Sequence, residues 1–162
     1  MREFEIDVSG EDLLSKNYTI CVADKESIIK GFKFNEELVN ILSSRYGKEL
    51  YKYHKSQKGK ALFKVRLYCI VIYHLFKSMH LSGEVSLAIC RDFSGREKEI
   101  RENLIVFLEK KLGLTIKLYF GRLLPDSNAH KYAYMMRIDS KDKMNTYVRI
   151  NLEDIEKWLI KK

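Results

Sequence analysis

The first 34 residues leave few folds open, because three strand-like runs follow one another with little chain between them. From Arg2 to Val8, the apolar Phe4, Ile6 and Val8 alternate with Glu3, Glu5 and Asp7, the two-residue period of a strand with one buried face. Asp7 therefore faces away from the core side. Ser9-Gly10 breaks the run, and Tyr18 to Ala23 and Ser27 to Phe34 read as two further strands joined by the tight turn Asp24-Lys25-Glu26. The expectation is a three-strand antiparallel meander carrying a carboxylate on its first strand.

Beyond the meander the pattern turns helical. Asn35 is placed to cap a helix whose Glu36 and Glu37 suit the positive end of the dipole, with Leu38, Val39, Ile41 and Leu42 as its buried stripe and Gly47 at its end. The stretch from Tyr51 to Lys60 has no apolar period and is dense in cations, so it reads as an exposed basic loop. Ala61 to Met79 follows as a long helix, with Leu62, Val65, Cys69, Ile72 and Phe76 along one face and Lys64 and Lys77 reaching solvent. Its β-branched content also allows a strand, and its length favours the helix.

Gly83 precedes a short apolar strand, Glu84 to Cys90, which delivers Asp92 just beyond its end. Ser94 and Glu97 have the spacing of a capping box, opening a helix through Leu112 with Ile100, Leu104, Phe107 and Leu108 inward and Gly113 closing it. Leu114 to Phe120 is another strand. Two strands separated by a helix can pair in parallel through a right-handed crossover, which sets Asp92 at the carboxyl edge of the sheet, where α/β folds build their sites. After Pro125, either Asp126 or Ser127 caps a helix carrying Ala129, Tyr132, Ala133 and Met136, or Lys131 to Asp139 pairs with Thr146 to Ile150 as a hairpin. If the helix forms, His130 lies one turn after Asp126 and the two side chains point the same way. Asn151 is placed to cap a terminal helix, Leu152 to Ile160.

The 162 residues are 46% hydrophobic, contain a single proline and show no linker or repeat, which fits one domain over 1–162. Cys21, Cys69 and Cys90 are odd in number and sit in apolar runs, as reduced core residues do in a reducing compartment. The amino terminus is acidic and lacks an apolar leader, and Leu67 to Phe76 is about half the length of a bilayer span, so no membrane and a cytoplasmic location are expected. A net charge of +8 favours a polyanionic partner, with nucleic acid expected, although the excess also serves simply to keep a protein dispersed.

Scattered carboxylates that converge at one sheet edge can hold hard divalent ions. Asp7, Asp92 and Asp126 are the ones whose expected positions let them meet, with Glu36 or Glu37 a further possibility. His130 could protonate a leaving group or position water. Lys52, Lys55, Lys58 and Lys60 could grip phosphates while Tyr53 stacks on an unpaired base, with Tyr51 and His54 in the same cluster. Arg91 and Arg96 flank Asp92 and would lie beside a scissile phosphate, or else pair with Glu97 or Glu99. Each residue also has an ordinary role open to it: an Asx-type turn for Asp7, a solvated strand end for Asp92, a helix start for Asp126 and a backbone partner for His130. Gly59-Lys60 lacks the upstream glycine and the hydroxyl residue of a phosphate-binding loop, and no paired-Cys zinc motif, Cys-His nucleophile or dinucleotide fingerprint is present.

The order meander, helix, strand, helix, strand, helix, with Asp7-x-Ser9-Gly10 on the first strand, Asp92 after the fourth and a late Asp126-x-x-x-His130 pair, resembles the ribonuclease H-like superfamily over most of the chain. The resemblance implies an α/β fold with a ribonuclease H-like mixed sheet, a three-strand antiparallel meander followed by parallel strands, and flanking helices. It implies Asp7 as the central metal ligand, Asp92 as the second acid and Asp126 as the acid near a late helix. The implied activity is a metal-dependent nuclease that uses Mg or Mn to hydrolyse phosphodiester bonds of RNA, DNA or a hybrid by a two-metal carboxylate mechanism. This chain differs from the usual pattern in offering His130 where several members have a second acid, and in its long Ala61 to Met79 helix. The other readings are a non-catalytic nucleic-acid-binding module on the same fold and a protein-interaction domain.

Overall fold

A computed structural model describes residues 1–93 and 95–161. The alternation in the opening run produces strand β1 (Arg2–Ser9), which pairs antiparallel with β2 (Thr19–Ala23), placing Asp7 opposite Cys21. β2 in turn pairs antiparallel with β3 (Ile29–Lys33). The turn between them is held by Asp24, whose Oδ1 accepts the backbone N–H groups of Glu26, Ser27 and Ile28. The other edge of β1 pairs in parallel with β4 (Glu84–Ile89), and β4 pairs in parallel with β5 (Thr115–Phe120). The result is a mixed five-stranded sheet of order β3-β2-β1-β4-β5 with helices on both faces.

Helix α1 (Glu36–Gly47) begins where the Asn35 side chain accepts the Leu38 N–H at 2.8 Å. Helix α2 (Gln57–Lys77) is buried on every side from 67 to 76, beyond the single stripe expected of an amphipathic helix. It lies between β2 and β3 on one side and, on the other, α3 (Glu97–Leu104), its π-helical continuation Ile105–Lys111 and, further along the chain, a short helix at Leu152–Glu156. On the opposite face of the sheet, α4 (Asn128–Ile138) packs across β1, β2 and β3 through Ala129 and Ala133 against Cys21 and Ala23. Gly31 permits this approach, since a Cβ there would fall 2.5 Å from the Met136 Cε and Sδ atoms. The helix alternative after Pro125 therefore holds. The chain at 146–148 instead lines the free edge of β3: Gly31 N–H donates to Thr146 O at 2.9 Å and Val148 N–H to Gly31 O at 2.8 Å.

The basic stretch from 51 to 60 is not an exposed loop. Tyr51 is fully buried, Tyr53 is half-buried, and Tyr46, Tyr51 and Tyr53 all pack against the Phe63 ring. Its last four residues form the first turn of α2, capped by Ser56, whose Oγ accepts the Gly59 N–H at 2.9 Å. Gly59 is required there because a Cβ would meet the His54 carbonyl oxygen at 2.0 Å. The lysines of the stretch, Lys52, Lys55, Lys58 and Lys60, remain exposed.

The expected capping box cannot be followed at Ser94, which lies outside the described residues; α3 starts at Glu97 after Arg96, which makes no side-chain cap bond. The terminal helix, α5 (Leu152–Glu156), stops short of Ile160. Its downstream backbone is taken up by an antiparallel bridge between Tyr51 and Ile160, with Lys52 N–H donating to Leu159 O at 2.9 Å. Cys21 and Cys69 are buried, Cys90 is half-buried, and all three are free thiols. Among the described residues no helix is long and apolar enough to cross a membrane.

Candidate active site

Asp7 reaches its position because β1 alternates: its neighbours Ile6 and Val8 turn toward α2 while its own side chain turns toward α4. It is only 8% exposed. Oδ1 accepts the Val8 N–H at 2.8 Å, and Oδ2 lies 2.8 Å from His130 Nδ1. His130 is presented by the first turn of α4, whose start is fixed by Ser127: the Ser127 Oγ accepts the His130 backbone N–H at 3.4 Å. The imidazole side chain is 54% exposed and takes the Asp7 carboxylate as its partner.

Asp92 follows β4 by three residues; it is exposed on its outer side and turns one oxygen inward. The fully buried Tyr18 donates its hydroxyl to Asp92 Oδ2 at 2.6 Å. Burial pushes the Asp92 carboxyl above the ordinary value; the Tyr18 bond works against this, and the Asp7 and Asp12 charges add to it. Burial and the same bond hold the Tyr18 phenol protonated. The Cys90 thiol is also raised, first by burial and then by the adjacent Asp7 carboxylate.

These groups share a cleft of about 300 Å³ lined by Asp7, Cys90, Arg91, Asp92, Arg122 and His130. At Asp92 it adjoins a wider cleft of about 550 Å³ whose walls include Asp12, Lys60, Lys64, Phe93 and Arg96. In that second cleft Lys64 bonds Asp12 at 2.8 Å, and Arg96 pairs with Glu99 at 3.2 Å. Lys60 thus brings one cation of the basic stretch to the rim of the site. Tyr53, by contrast, spends its ring on Phe63, and burial pushes its phenol up to about 12.

Asp126 does not join this group. It precedes the capping Ser127 and so lies outside the helix, where the one-turn relation to His130 no longer applies. It lines a different cleft of about 310 Å³ with Glu5, Lys25 and Leu124. Glu36 and Glu37 are exposed on α1, with Glu36 3.9 Å from Lys16. Among the described residues no three His, Cys, Asp or Glu side chains are drawn together closely enough to hold a metal ion, so the expected three-aspartate set is not assembled.

Sequence reasoning missed Tyr18 and Arg122. Nothing in the local pattern marks Tyr18, whose partner is 74 residues away. Arg122 did carry a signal: it follows the last residue of β5 by the same two positions as Arg91 follows that of β4. Compared with known proteins, the chain matches no family model and no curated protein.

Proposed function

We propose that this protein is a metal-dependent nuclease of ribonuclease H-like type, hydrolysing nucleic-acid phosphodiester bonds in the cleft of Asp7, Asp92 and His130. The observation that carries the reading is that residues far apart in the chain, on β1, after β4 and on α4, line one cleft at the carboxyl edge of the sheet. The sheet order, an antiparallel meander continued by two parallel strands, supports the fold part of the reading. The net charge of +8 supports a polyanionic substrate.

Two carboxylates with an imidazole beside them are donors that suit Mg or Mn, and each carboxylate has a second oxygen, Oδ1, besides the Oδ2 that meets His130 or Tyr18. Asp7 and Asp92 would hold the ion, with His130 next to it. When bound, such an ion polarises a phosphoryl oxygen and lowers the pKa of its water. The chain's own residues supply the rest. Tyr18 fixes the orientation of Asp92, and Asp7 fixes the His130 ring through Nδ1, which leaves Nε2 to give a proton to the departing oxygen. Arg91 in the cleft and Lys60 at its rim attract the phosphates.

The test is incubation of end-labelled single-stranded, duplex and hybrid RNA and DNA with Mg²⁺ or Mn²⁺, reading binding in the same tubes. Wild type is expected to cut, and Asp7→Asn to bind without cutting. Binding with no cutting by wild type under either metal would favour the non-catalytic module, and neither binding nor cutting would favour an interaction domain.

A further inference from the structure

β4 and β5 run parallel with Ile89 opposite Phe120, and the pairing persists past the strand ends, where Gly121 N–H donates to Ile89 O at 3.0 Å. Two residues beyond that pair stand Arg91 and Arg122. Equal offsets from parallel neighbours put the two arginines just past the same edge of the sheet. Both are exposed and both line the cleft of Asp7, Asp92 and His130. Arg96, in the adjoining cleft, meets Glu99, whereas among the described residues neither Arg91 nor Arg122 forms an ion pair.

We propose that Arg91 and Arg122 form a two-armed clamp for one phosphodiester group of the nucleic-acid strand, an inference that rests on the nuclease reading for the nature of the substrate. A phosphate entering this cleft meets the Asp7 and Asp92 carboxylates, which repel it. Two guanidiniums offset that repulsion, and their planar forks match the two non-bridging phosphate oxygens. Because β4 lies between β1 and β5, Asp7 and Arg122 stand two strands apart, with Asp92 and Arg91 between them. The clamp therefore holds the phosphate from the side opposite the Asp7–His130 pair, turning its reacting face toward them.

The test is binding of a fluorescein-labelled single-stranded oligonucleotide in EDTA, where metal-dependent cleavage is stopped, over a range of salt concentrations. Arg91→Ala and Arg122→Ala are each expected to weaken binding about tenfold, and the double variant to reduce the slope of log K against log salt by about 0.7, the loss of one phosphate contact on a single strand. Arg122→Lys should keep the slope and lose part of the affinity, since it preserves charge without the fork. Lys117→Ala, an exposed cation on β5 outside the cleft, should change neither. An Arg122→Ala protein with wild-type affinity and slope overturns the clamp, as does a loss matched by Lys117→Ala. Wild type that binds in this arginine-dependent way but cuts with neither Mg²⁺ nor Mn²⁺ supports the clamp and overturns the nuclease reading; wild type that binds no oligonucleotide overturns both.

Discussion

Asp92 sits where function and stability pull in opposite directions. Its folded-state pKa is raised, chiefly by burial, so the folded protein holds that proton more tightly than the unfolded chain does. The stability this contributes is fully present below the ordinary carboxylate pKa and is lost as pH rises through the folded value. Asp92→Asn keeps an oxygen to accept from Tyr18 and removes the charge. It should therefore melt above wild type near neutral pH, with the difference closing as the pH falls below the ordinary carboxylate range, while cleavage is lost. Thermal melts across that range check this, and a variant no more stable than wild type near neutrality contradicts it. At this scale the positions of Asp7 and Asp92, though not their roles, were legible because strand alternation and a parallel crossover fix where strand ends lie. Asp126 was misplaced because spacing by one turn has meaning only inside a helix, and Ser127 starts the helix after it.

Among the elements, the short terminal helix matters for what it anchors. Glu156 on α5 is 7% exposed and accepts the Tyr51 hydroxyl at 2.7 Å while pairing with Arg45 of α1. It thereby ties the end of the chain to α1 and to the approach of α2. Glu156→Ala leaves the Tyr51 hydroxyl buried without its acceptor, a loss of about 1–3 kcal/mol. Tyr51→Phe removes the hydroxyl, leaves Glu156 with Arg45, and should cost less. Urea denaturation of the two variants decides the matter, and equal losses would contradict the account. The sequence hid this arrangement because the segment from 51 to 60 has no period of its own; its tyrosines are held by Phe63 on α2 and by Glu156 on α5. Elements with strong periods, β1 and α2 above all, were legible from their apolar spacing, and the full encirclement of α2 followed only from the layers packed around it.

At the scale of the whole molecule, one sheet with helices on both faces collects three distant side chains and two arginines that form no ion pair among the described residues along its carboxyl edge. Sequence reasoning could reach the α/β class and the parallel pairing of β4 with β5, since strand, helix and strand in succession constrain topology strongly. It could not tell which carboxylates share a cleft, because that depends on how α4 lies across the sheet, with Ala129 and Ala133 against Cys21 and Ala23. The account's central claim is that the site is the cleft of Asp7, Asp92 and His130 and does not extend to Asp126. The most direct test measures Mg²⁺- or Mn²⁺-dependent cleavage by Asp7→Asn, Asp92→Asn, His130→Ala and Asp126→Asn beside wild type. The account predicts that the first three lose cleavage while still binding nucleic acid and that Asp126→Asn cuts as wild type does; cutting by Asp7→Asn, or its loss in Asp126→Asn, would contradict it.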